Sequence, residues 1–261
     1  MYEKELAFLK ETLFDAFRLT VRDCPSVQGK GRFDIVTDID KGIERYFSEA
    51  LSRTYPEDRL LGEEFSGDIA LSDRTWILDP IDGTYNFSTG SDHFALQCAL
   101  WDRGDLQISV IYFPLREELY EARKGNGAFL NGKRIHVSDR DPEQGIFTFG
   151  DFPHKRPNDA RDQNRMMINA FSSVARYRMF GAASVDFAML ACGKTEGVVL
   201  FTKNKWDIAP GLLLSREAGA LAFGICGEPY HFGSRGIIAC NKIEFFDVLT
   251  KGLELKNDPS E

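Results

Sequence analysis

Hydrophobic positions recur every three or four residues in two stretches near the N-terminus. Apolar residues keep this spacing through the first twenty or so residues, which predicts an amphipathic helix. A glycine-rich loop is expected to follow it. The spacing returns from Ile39 onward and predicts a second helix over residues 37–55, because Thr37 and Asp40 stand at the separation of a capping box.

The middle of the chain is rich in residues that favour β-structure. A short apolar run from Thr75 to Asp79 is followed by Pro80, which predicts a strand that ends there in a sharp turn. Three longer segments separated by Gly or Pro turns predict an antiparallel meander, and residues 125–133 add a hairpin. The meander segments are residues 94–101, 106–113 and 119–123.

Helical and strand patterns alternate in the second half of the chain. The predicted elements are a strand at 146–149, helices at 163–173 and 184–192, a strand at 198–201 and a helix at 208–218. Mixed helices and strands indicate a layered α/β or α+β fold. We expect one domain over residues 1–261. A weak subdomain boundary is expected near 150–162, where the polar stretch 153–161 carries two prolines.

Composition excludes several classes of protein. The chain has 261 residues and a net charge of −8, which would repel a nucleic-acid backbone. No apolar run reaches the roughly 18 residues that a membrane span requires, and the N-terminus lacks the pattern of a secretion signal. Five widely spaced cysteines never form a C-x-x-C pair and are expected to be small core residues. We therefore expect a cytoplasmic protein with neither nucleic-acid nor membrane partners.

Acidic residues with apolar flanks cluster in four places. Carboxylates that converge cannot all stay ionised unless a cation offsets their repulsion, and oxygen ligands favour Mg²⁺, Mn²⁺ or Ca²⁺. The alternatives without a metal are that these acids are solvated on the surface or, for Asp207, that it caps a helix starting near residue 208. The clusters are Asp34, Asp38 and Asp40; Glu63 and Glu64; Asp79 and Asp82; and Asp207.

The segment D-P-I-D-G-T combines these carboxylates with a fixed turn. Pro80 removes a backbone donor and restricts the chain, so that Asp79 and Asp82 can face one volume. Gly83 and Thr84 would then open the next segment with free N–H groups, which suit a phosphate oxygen. The sequence therefore predicts a metal and phosphate site at this turn.

These motifs together resemble the inositol monophosphatase family, in the family's own order and over nearly the whole chain. They are D-I-V-T-D-I-D at 34–40, G-E-E at 62–64, W-I-L-D-P-I-D-G-T-Y-N-F at 76–87, F-G-A-A-S at 180–184 and W-D-I-A-P-G at 206–211. The resemblance implies an αβαβα sandwich, Mg²⁺-dependent hydrolysis of small phosphomonoesters, inhibition by lithium, and a homodimer.

The resemblance also implies a role for each matching residue. Two to three Mg²⁺ ions, with Mn²⁺ as a substitute, would be held by Glu63, Asp79, the carbonyl of Ile81, Asp82 and Asp207. Asp40 and Thr84 would hydrogen-bond to each other and, with Glu63, activate the attacking water. The substrate would contact Asp82, Gly83, Thr84, Ala183 and Asp207, and Glu64 would support the ligands from behind.

One departure from the family bears on the substrate. Many members have a glutamate seven residues before the W-D aspartate, where it contacts substrate hydroxyls, and this chain has Leu200. Lys203 and Lys205 nearby could favour a more anionic substrate. The expected substrate is inositol-1-phosphate-like, with fructose 1,6-bisphosphate, histidinol phosphate, 3'-phosphoadenosine 5'-phosphate and NADP as alternatives. A non-catalytic, metal-stabilised regulatory binding protein is the alternative from another class.

Overall fold

The computed structural model describes residues 1–21, 26–30, 35–66, 71 and 73–256. The α-helices are α1 (Glu3–Thr20), α2 (Asp38–Thr54), α3 (Thr84–Ser88), α4 (Pro157–Phe171), α5 (Ala183–Ala191), α6 (Lys205–Glu217) and α7 (Ile243–Thr250). The β-strands are β1 (Val27–Gly29), β2 (Ile35–Thr37), β3 (Arg59–Gly62), β4 (Thr75–Asp82), β5 (Ala95–Asp102), β6 (Asp105–Phe113), β7 (Glu118–Arg123), β8 (Gly127–Leu130), β9 (Lys133–Ile135), β10 (Ile146–Phe149), β11 (Arg176–Arg178), β12 (Gly197–Leu200), β13 (Leu221–Gly224) and β14 (Ile237–Cys240).

Two large sheets form the frame of the molecule. The first has seven strands in the order β3-β4-β5-β6-β7-β8-β9, and only β3 and β4 are parallel. The second has five strands in the order β11-β10-β12-β14-β13, with β10 parallel to β11 and β12. The predicted antiparallel meander and the hairpin after it are thereby confirmed as β5 to β9.

Helices cover both faces of each sheet and give five layers. Helices α1 and α2 pack on one face of the seven-stranded sheet, where Leu9, Phe47 and Trp76 share a core. Helices α5 and α6 fill the space between the two sheets, and α4 and α7 pack on the outer face of the five-stranded sheet against Phe147 and Phe149. The predicted αβαβα sandwich is confirmed, because amphipathic helices and apolar sheet faces must bury one another.

The start of α2 forms as its sequence pattern predicts. Thr37 is the N-cap with extended backbone angles, and its side chain accepts a hydrogen bond from the Asp40 N–H. The Asp40 carboxylate accepts from the Thr37 N–H in return, which completes the capping box. This box fixes the orientation of a carboxylate that the sequence assigns to the site.

Several predicted boundaries are wrong. Strand β4 does not stop at Asp79 but runs through Pro80 to Asp82, because a β-bulge accommodates the proline. The expected glycine-rich loop after α1 contains a two-stranded hairpin, β1 with β2. These strands have three residues each, too short to show a period of two.

Two helices begin earlier than predicted. Helix α4 begins at Pro157 instead of residue 163, so the end of the expected polar loop 153–161 is helical, with proline in the first turn where its missing N–H costs nothing. Helix α6 begins at Lys205 instead of residue 208, with Asn204 as its N-cap. Asp207 is therefore not the cap of this helix.

The remaining predictions concern the cysteines, residues outside the described ranges, and membrane spans. Cys98 and Cys240 are buried as expected, but Cys192 and Cys226 are partly exposed, so the core prediction is wrong for these two. Cys24 and Asp34 lie outside the described residues. Among the helices that are described, none combines the length and the apolar run needed to traverse a bilayer.

Candidate active site

Strand β4 delivers two carboxylates to one place through its bulge. Asp79 pairs with Gln97 on β5, whereas Asp82 pairs with Ala95, so three steps on β4 match two on β5. Without the extra residue, side chains three apart would point to opposite faces of the sheet. The bulge re-aims them. Asp79 is buried, and its Oδ1 atom has no hydrogen-bond partner.

The Asp82 carboxylate lies against the N-terminus of α5. It accepts hydrogen bonds from the backbone N–H groups of Ser184 at 2.6 Å and Ala183 at 3.3 Å. The positive end of a helix favours a negative charge at this position. The F-G-A-A-S motif is thereby joined to the D-P-I-D-G-T motif across about 100 residues of sequence.

Gly83 and Thr84 complete the turn after β4. Gly83 has a φ of 86°, and a Cβ atom there would lie 2.8 Å from the carbonyl oxygen of His93, so no other residue fits. The Thr84 hydroxyl is 3.0 Å from the Ile81 carbonyl oxygen and 3.3 Å from Asp40 Oδ1. The predicted contact between Asp40 and Thr84 is present, and the capping box holds Asp40 in place for it.

The G-E-E turn is held by a residue that the sequence reasoning missed. Glu44 on α2 is buried, and its carboxylate accepts from the N–H groups of Glu64 at 2.8 Å and Phe65 at 3.1 Å. A Cβ atom on Gly62 would lie 2.1 Å from Glu44 Oε1, so glycine is required there. The sequence signal was a charged residue on the apolar stripe of α2.

Lys30 supplies the positive charge beside this turn. Its Nζ atom lies 2.9 Å from Glu63 Oε1 and 2.5 Å from Glu64 Oε1. Although burial alone would lower the pKa of Lys30, the two glutamates raise it above its ordinary value. Glu64 thus contacts Glu63 through a shared lysine, in keeping with a supporting position.

Asp207 reaches the site from the first turn of α6. Its Oδ2 atom accepts from the Thr202 hydroxyl at 2.8 Å and from the Asn204 side-chain amide at 3.2 Å. Pro210 cannot donate to the Trp206 carbonyl one turn earlier, and Gln97 Nε2 of β5 donates to that carbonyl instead, at 3.2 Å. The proline therefore ties α6 to the sheet that carries Asp79.

These elements enclose a cavity of about 190 Å³, which we call the carboxylate cavity. Leu200 and Phe201 give it an apolar wall, and Asp151 lies opposite the predicted carboxylates as an acid that the sequence reasoning did not select. The sequence signal for Asp151 was its position two residues beyond the predicted strand 146–149. The lining residues are Asp82, Gly150, Asp151, Gly181, Ala182, Ala183, Leu200, Phe201, Thr202 and Asp207.

The pKa values of these acids reflect their crowding. Burial, followed by repulsion from Glu63, Asp82 and Asp207, raises the pKa of Asp79 well above its usual range. Burial, followed by repulsion from Glu63 and Asp82, raises the pKa of Asp207 well above its usual range. Burial also raises the pKa of Glu63, to about 7, although Lys30 opposes the shift. The charged forms of these groups need a counter-charge.

The donor set fits a hard divalent cation. Among the described residues, no three acidic, His or Cys side chains already close around a single point as a preformed metal site would. Two features nevertheless favour a cation: the donors are all oxygens, and Asp79 Oδ1 is buried without a partner. The residues that could hold the ion are Glu63, Asp79, Asp82, Asp207 and the Ile81 carbonyl.

Comparison with known proteins agrees with this arrangement. The model of the inositol monophosphatase family matches residues 3–254. The chain belongs to this family. A Nus factor SuhB from Pseudomonas aeruginosa is 34% identical over 245 residues, which are 91% of this chain and 89% of the relative. A fructose-1,6-bisphosphatase/inositol-1-monophosphatase from Aquifex aeolicus is 34% identical over 217 residues, 83% and 81% of the two chains.

Solved structures of family members share the fold. The extragenic suppressor protein suhB from Bartonella henselae has a TM-score of 0.88 at 32% identity, over 96% of this chain and 100% of that one. An IMPase/NADP phosphatase complexed with Mg²⁺ and phosphate has a TM-score of 0.79 at 26% identity, over 95% and 93%. A staphylococcal inositol monophosphatase soaked with LiCl matches at 0.79 and 25%, over 95% and 92%.

The structure groups most of the acids that the family motifs mark. Those that lie together are Asp40, Glu63, Asp79, Asp82 and Asp207, as their mutual effects on pKa indicate. Asp38 does not belong to this group. It is exposed at the start of α2, and its carboxylate accepts the Ser26 N–H at 2.8 Å.

Proposed function

We propose that the protein is a Mg²⁺-dependent phosphatase that hydrolyses a small, inositol-1-phosphate-like phosphomonoester. One observation carries the proposal: Asp79 is buried among Glu63, Asp82 and Asp207, with an oxygen that no donor satisfies. Such an arrangement costs stability unless a cation binds it. Retaining that cost is expected at a functional site.

The carboxylates of Glu63, Asp79, Asp82 and Asp207 and the carbonyl of Ile81 would hold the cations. When bound, Mg²⁺ supplies Lewis acidity and neutralises charge on the phosphate, which is what phosphoryl transfer chiefly needs. Mn²⁺ is expected to substitute, because it prefers the same oxygen ligands. Lithium inhibition is proposed from the family.

Asp40 and Thr84 would orient the attacking water. The Thr84 hydroxyl lies within 3.3 Å of Asp40 Oδ1, and the capping box leaves this carboxylate little freedom to move. Burial raises the pKa of Asp40, while its bonds with Thr37 oppose the shift. Thr84 can therefore pass a proton toward Asp40, with Glu63 as the second base on the far side of the turn.

The substrate phosphate would lie at the turn and the start of α5. Gly83 and Thr84 would contact it from the turn, and Ala183, whose N–H donates to Asp82, lines the cavity. Asp82 and Asp207 line the same cavity and contact both the cation and the substrate in this proposal. Leu200 gives an apolar wall where many relatives have glutamate, and Asp151 supplies an acid that can accept a sugar hydroxyl.

The test is release of inorganic phosphate with and without Mg²⁺. The substrates are inositol 1-phosphate, fructose 1,6-bisphosphate, histidinol phosphate, 3'-phosphoadenosine 5'-phosphate and NADP. We expect Mg²⁺-dependent turnover that is lost in Asp82→Asn, which keeps the side-chain shape at the start of α5. A folded protein that is silent on every substrate would contradict the proposal.

A regulatory binding function is the second candidate. It is favoured by one finding, that relatives at 33–34% identity carry the name Nus factor SuhB. The two candidates separate in Asp82→Asn. Loss of turnover with unchanged partner binding would show two independent functions, whereas a folded wild type that binds a partner and releases no phosphate from any substrate would leave binding as the principal one.

A further inference from the structure

A second cavity, of about 240 Å³, lies beside the candidate active site and has the opposite charge. Six of its ten lining residues are cations and three are acids, so it is net positive by three on a chain whose net charge is −8. The lining residues are Arg156, Asn158, Asp159, Arg161, Asp162, Arg165, Lys203, Arg235, Glu254 and Lys256. We call this cavity the basic pocket.

Two arginines form a fixed floor in the basic pocket. Arg235 contacts Asp159 and donates to Asp162 Oδ2 at 2.7 Å, and its guanidinium lies 5.6 Å from the centre of the Phe201 ring. Arg156 lies 2.6 Å from Asp159 and also donates to the Phe201 carbonyl. Guanidinium groups held in this way are pre-organised and lose little entropy on binding a ligand.

The rim of the basic pocket carries cations that no acid balances. Among the described residues, Arg161, Lys203 and Lys256 form no ion pair with a carboxylate, and all three are exposed. Arg161 and Arg165 stand four residues apart on α4, a like-charge spacing that destabilises a helix. An anion between them and Lys203 would turn this repulsion into attraction.

The basic pocket adjoins the carboxylate cavity through one short segment. Thr202 lines the carboxylate cavity and donates to Asp207, whereas the next residue, Lys203, lines the basic pocket. Cα atoms of consecutive residues are about 3.8 Å apart. The same segment contacts Arg156 through the Phe201 carbonyl. A ligand in one cavity therefore lies close to the wall of the other.

We infer that the basic pocket binds a phosphate group of a small molecule, as a site separate from the carboxylate cavity. Its size suits a phosphate or sugar phosphate, and the negative chain as a whole disfavours a polyanion. The phosphate can come from two sources, either the far end of a bisphosphate substrate or a separate phosphorylated molecule. Both require the same cations.

In the binding test, inorganic phosphate is titrated into the full chain in a buffer that contains a chelator. The readout is the change in NMR chemical shift of the backbone amides of α4. Without divalent cations the carboxylate cavity repels phosphate, so the shifts report on the basic pocket. We expect saturable shifts in the wild type and affinity at least about tenfold weaker in Arg161→Ala/Lys203→Ala, which loses two charge-assisted contacts. Neither residue pairs with an acid, so this variant should fold normally.

The matched control is Arg53→Ala/Lys133→Ala, which removes two exposed cations outside both cavities. It should bind phosphate as the wild type does. Absence of saturable shifts in the wild type, or equal affinity in the two double variants, would overturn the inference. This readout needs no turnover, so its failure is distinct from failure of the proposed phosphatase function.

Kinetics of the Mg²⁺-loaded enzyme separate the two sources. If the far phosphate of a substrate binds here, Arg161→Ala/Lys203→Ala raises the KM for fructose 1,6-bisphosphate and leaves the KM for inositol 1-phosphate unchanged. If a separate molecule binds, the double substitution changes the two KM values by the same factor. The variant still binds inorganic phosphate more weakly than the wild type. Either result supports the basic pocket.

Discussion

The two neighbouring cavities use acidic residues in opposite ways. Beside the carboxylate cavity, Asp79 is buried next to Asp82 and Asp207, two acids that line it, and the Asp79 Oδ1 atom has no hydrogen-bond partner. In the basic pocket, Asp159 is equally buried but is held by Arg156 and Arg235. The comparison teaches that burial alone does not reveal the role of an aspartate. Crowded acids lower the stability of the fold and provide a binding site, whereas breaking the ion pairs of paired acids would destabilise the fold.

Neutralising the crowded acid should have the largest effect, and on activity. In Asp79→Asn we expect Mg²⁺-dependent phosphate release to fall on the order of 1,000-fold, because a ligand that positions the cation loses its charge. The measurement is kcat/KM on whichever phosphomonoester the wild type hydrolyses. Activity within a factor of about ten of the wild type, a difference of only 1.4 kcal/mol, would remove Asp79 from the ligand set.

Stability of the same variant provides its control. In a chelator, Asp79→Asn should unfold at a temperature no lower than the wild type, because the substitution removes a carboxylate that burial and neighbouring acids disfavour. A large fall in Tm would mean that the lost activity reflects damage to the fold instead of lost cation binding.

Neutralising the paired acid should have the opposite signature. Asp159→Asn leaves Arg156 and Arg235 without their shared carboxylate, and breaking a buried ion pair costs on the order of 3 kcal/mol. We expect the free energy of unfolding in urea to fall by about that amount, with kcat unchanged at low temperature. The comparison between the cavities would fail if Asp159→Asn were as stable as the wild type.

A surface ion pair supplies the matched control for this loss. Asp15 pairs with Arg18 at 2.9 Å on α1, where the Arg18 side chain is 75% exposed and the Asp15 side chain 45% exposed. Asp15→Asn should change the free energy of unfolding by no more than about 0.5 kcal/mol. The same chemical change then measures how much burial contributes at Asp159.

Much of this arrangement follows from local sequence, and the reason is local physics. The capping box at Thr37 and Asp40 and the meander are set by nearby residues, so their patterns predict them correctly. The carboxylates of the motifs were predicted as a group from their positions at strand and helix ends. Their metal-binding and catalytic roles, the homodimer and the subdomain boundary stay predictions.

The sequence could not show contacts made between distant segments. Lys30 and Glu44 act on the G-E-E turn from 33 and 20 residues away, and the sequence near each of them does not identify that partner. The extension of β4 past Pro80 depends on a bulge against β5, which the sequence of β4 alone does not encode. The basic pocket is drawn from four separate parts of the chain, so only folding brings its cations together.

Binding of Mg²⁺ should stabilise the fold more at high pH than at low pH. Burial and repulsion raise the folded-state pKa values of Asp79 and Asp207, and that of Glu63 to about 7. Without a cation, stability from these groups is fully present below pH 4 and falls as pH rises toward the folded values. A cation needs the ionised forms, so its contribution grows over the same window.

The measurement is the rise in Tm on adding Mg²⁺ at pH 5 and at pH 8. At a concentration 100 times Kd the expected stabilisation is about 2.7 kcal/mol, and NaCl at equal ionic strength should not reproduce it. The pH dependence of this Mg²⁺ effect should be weaker in Asp79→Asn, because the variant has one carboxylate fewer at which protons compete with Mg²⁺. A Mg²⁺ effect of equal size at both pH values would show that the crowded carboxylates are not the ligands.

A smaller effect than that of Mg²⁺ is expected at Asp186, a buried acid on α5. Burial raises the pKa of Asp186 well above the ordinary value of 3.8; the Thr148 side chain opposes this shift, and the charges of Asp82 and Asp151 add to it. The unfolded chain therefore ionises first as pH rises above about 4, and the folded protein loses stability until its own pKa is passed.

Asp186→Asn removes this loss. We expect equal Tm values near pH 4 and a Tm roughly 2–4 °C above the wild type at pH 8, about 1 kcal/mol for a chain of this size. A lower Tm at pH 8 would mean that Asp186 is ionised and compensated in the fold, which would place it with the paired acids of the basic pocket instead of the crowded ones.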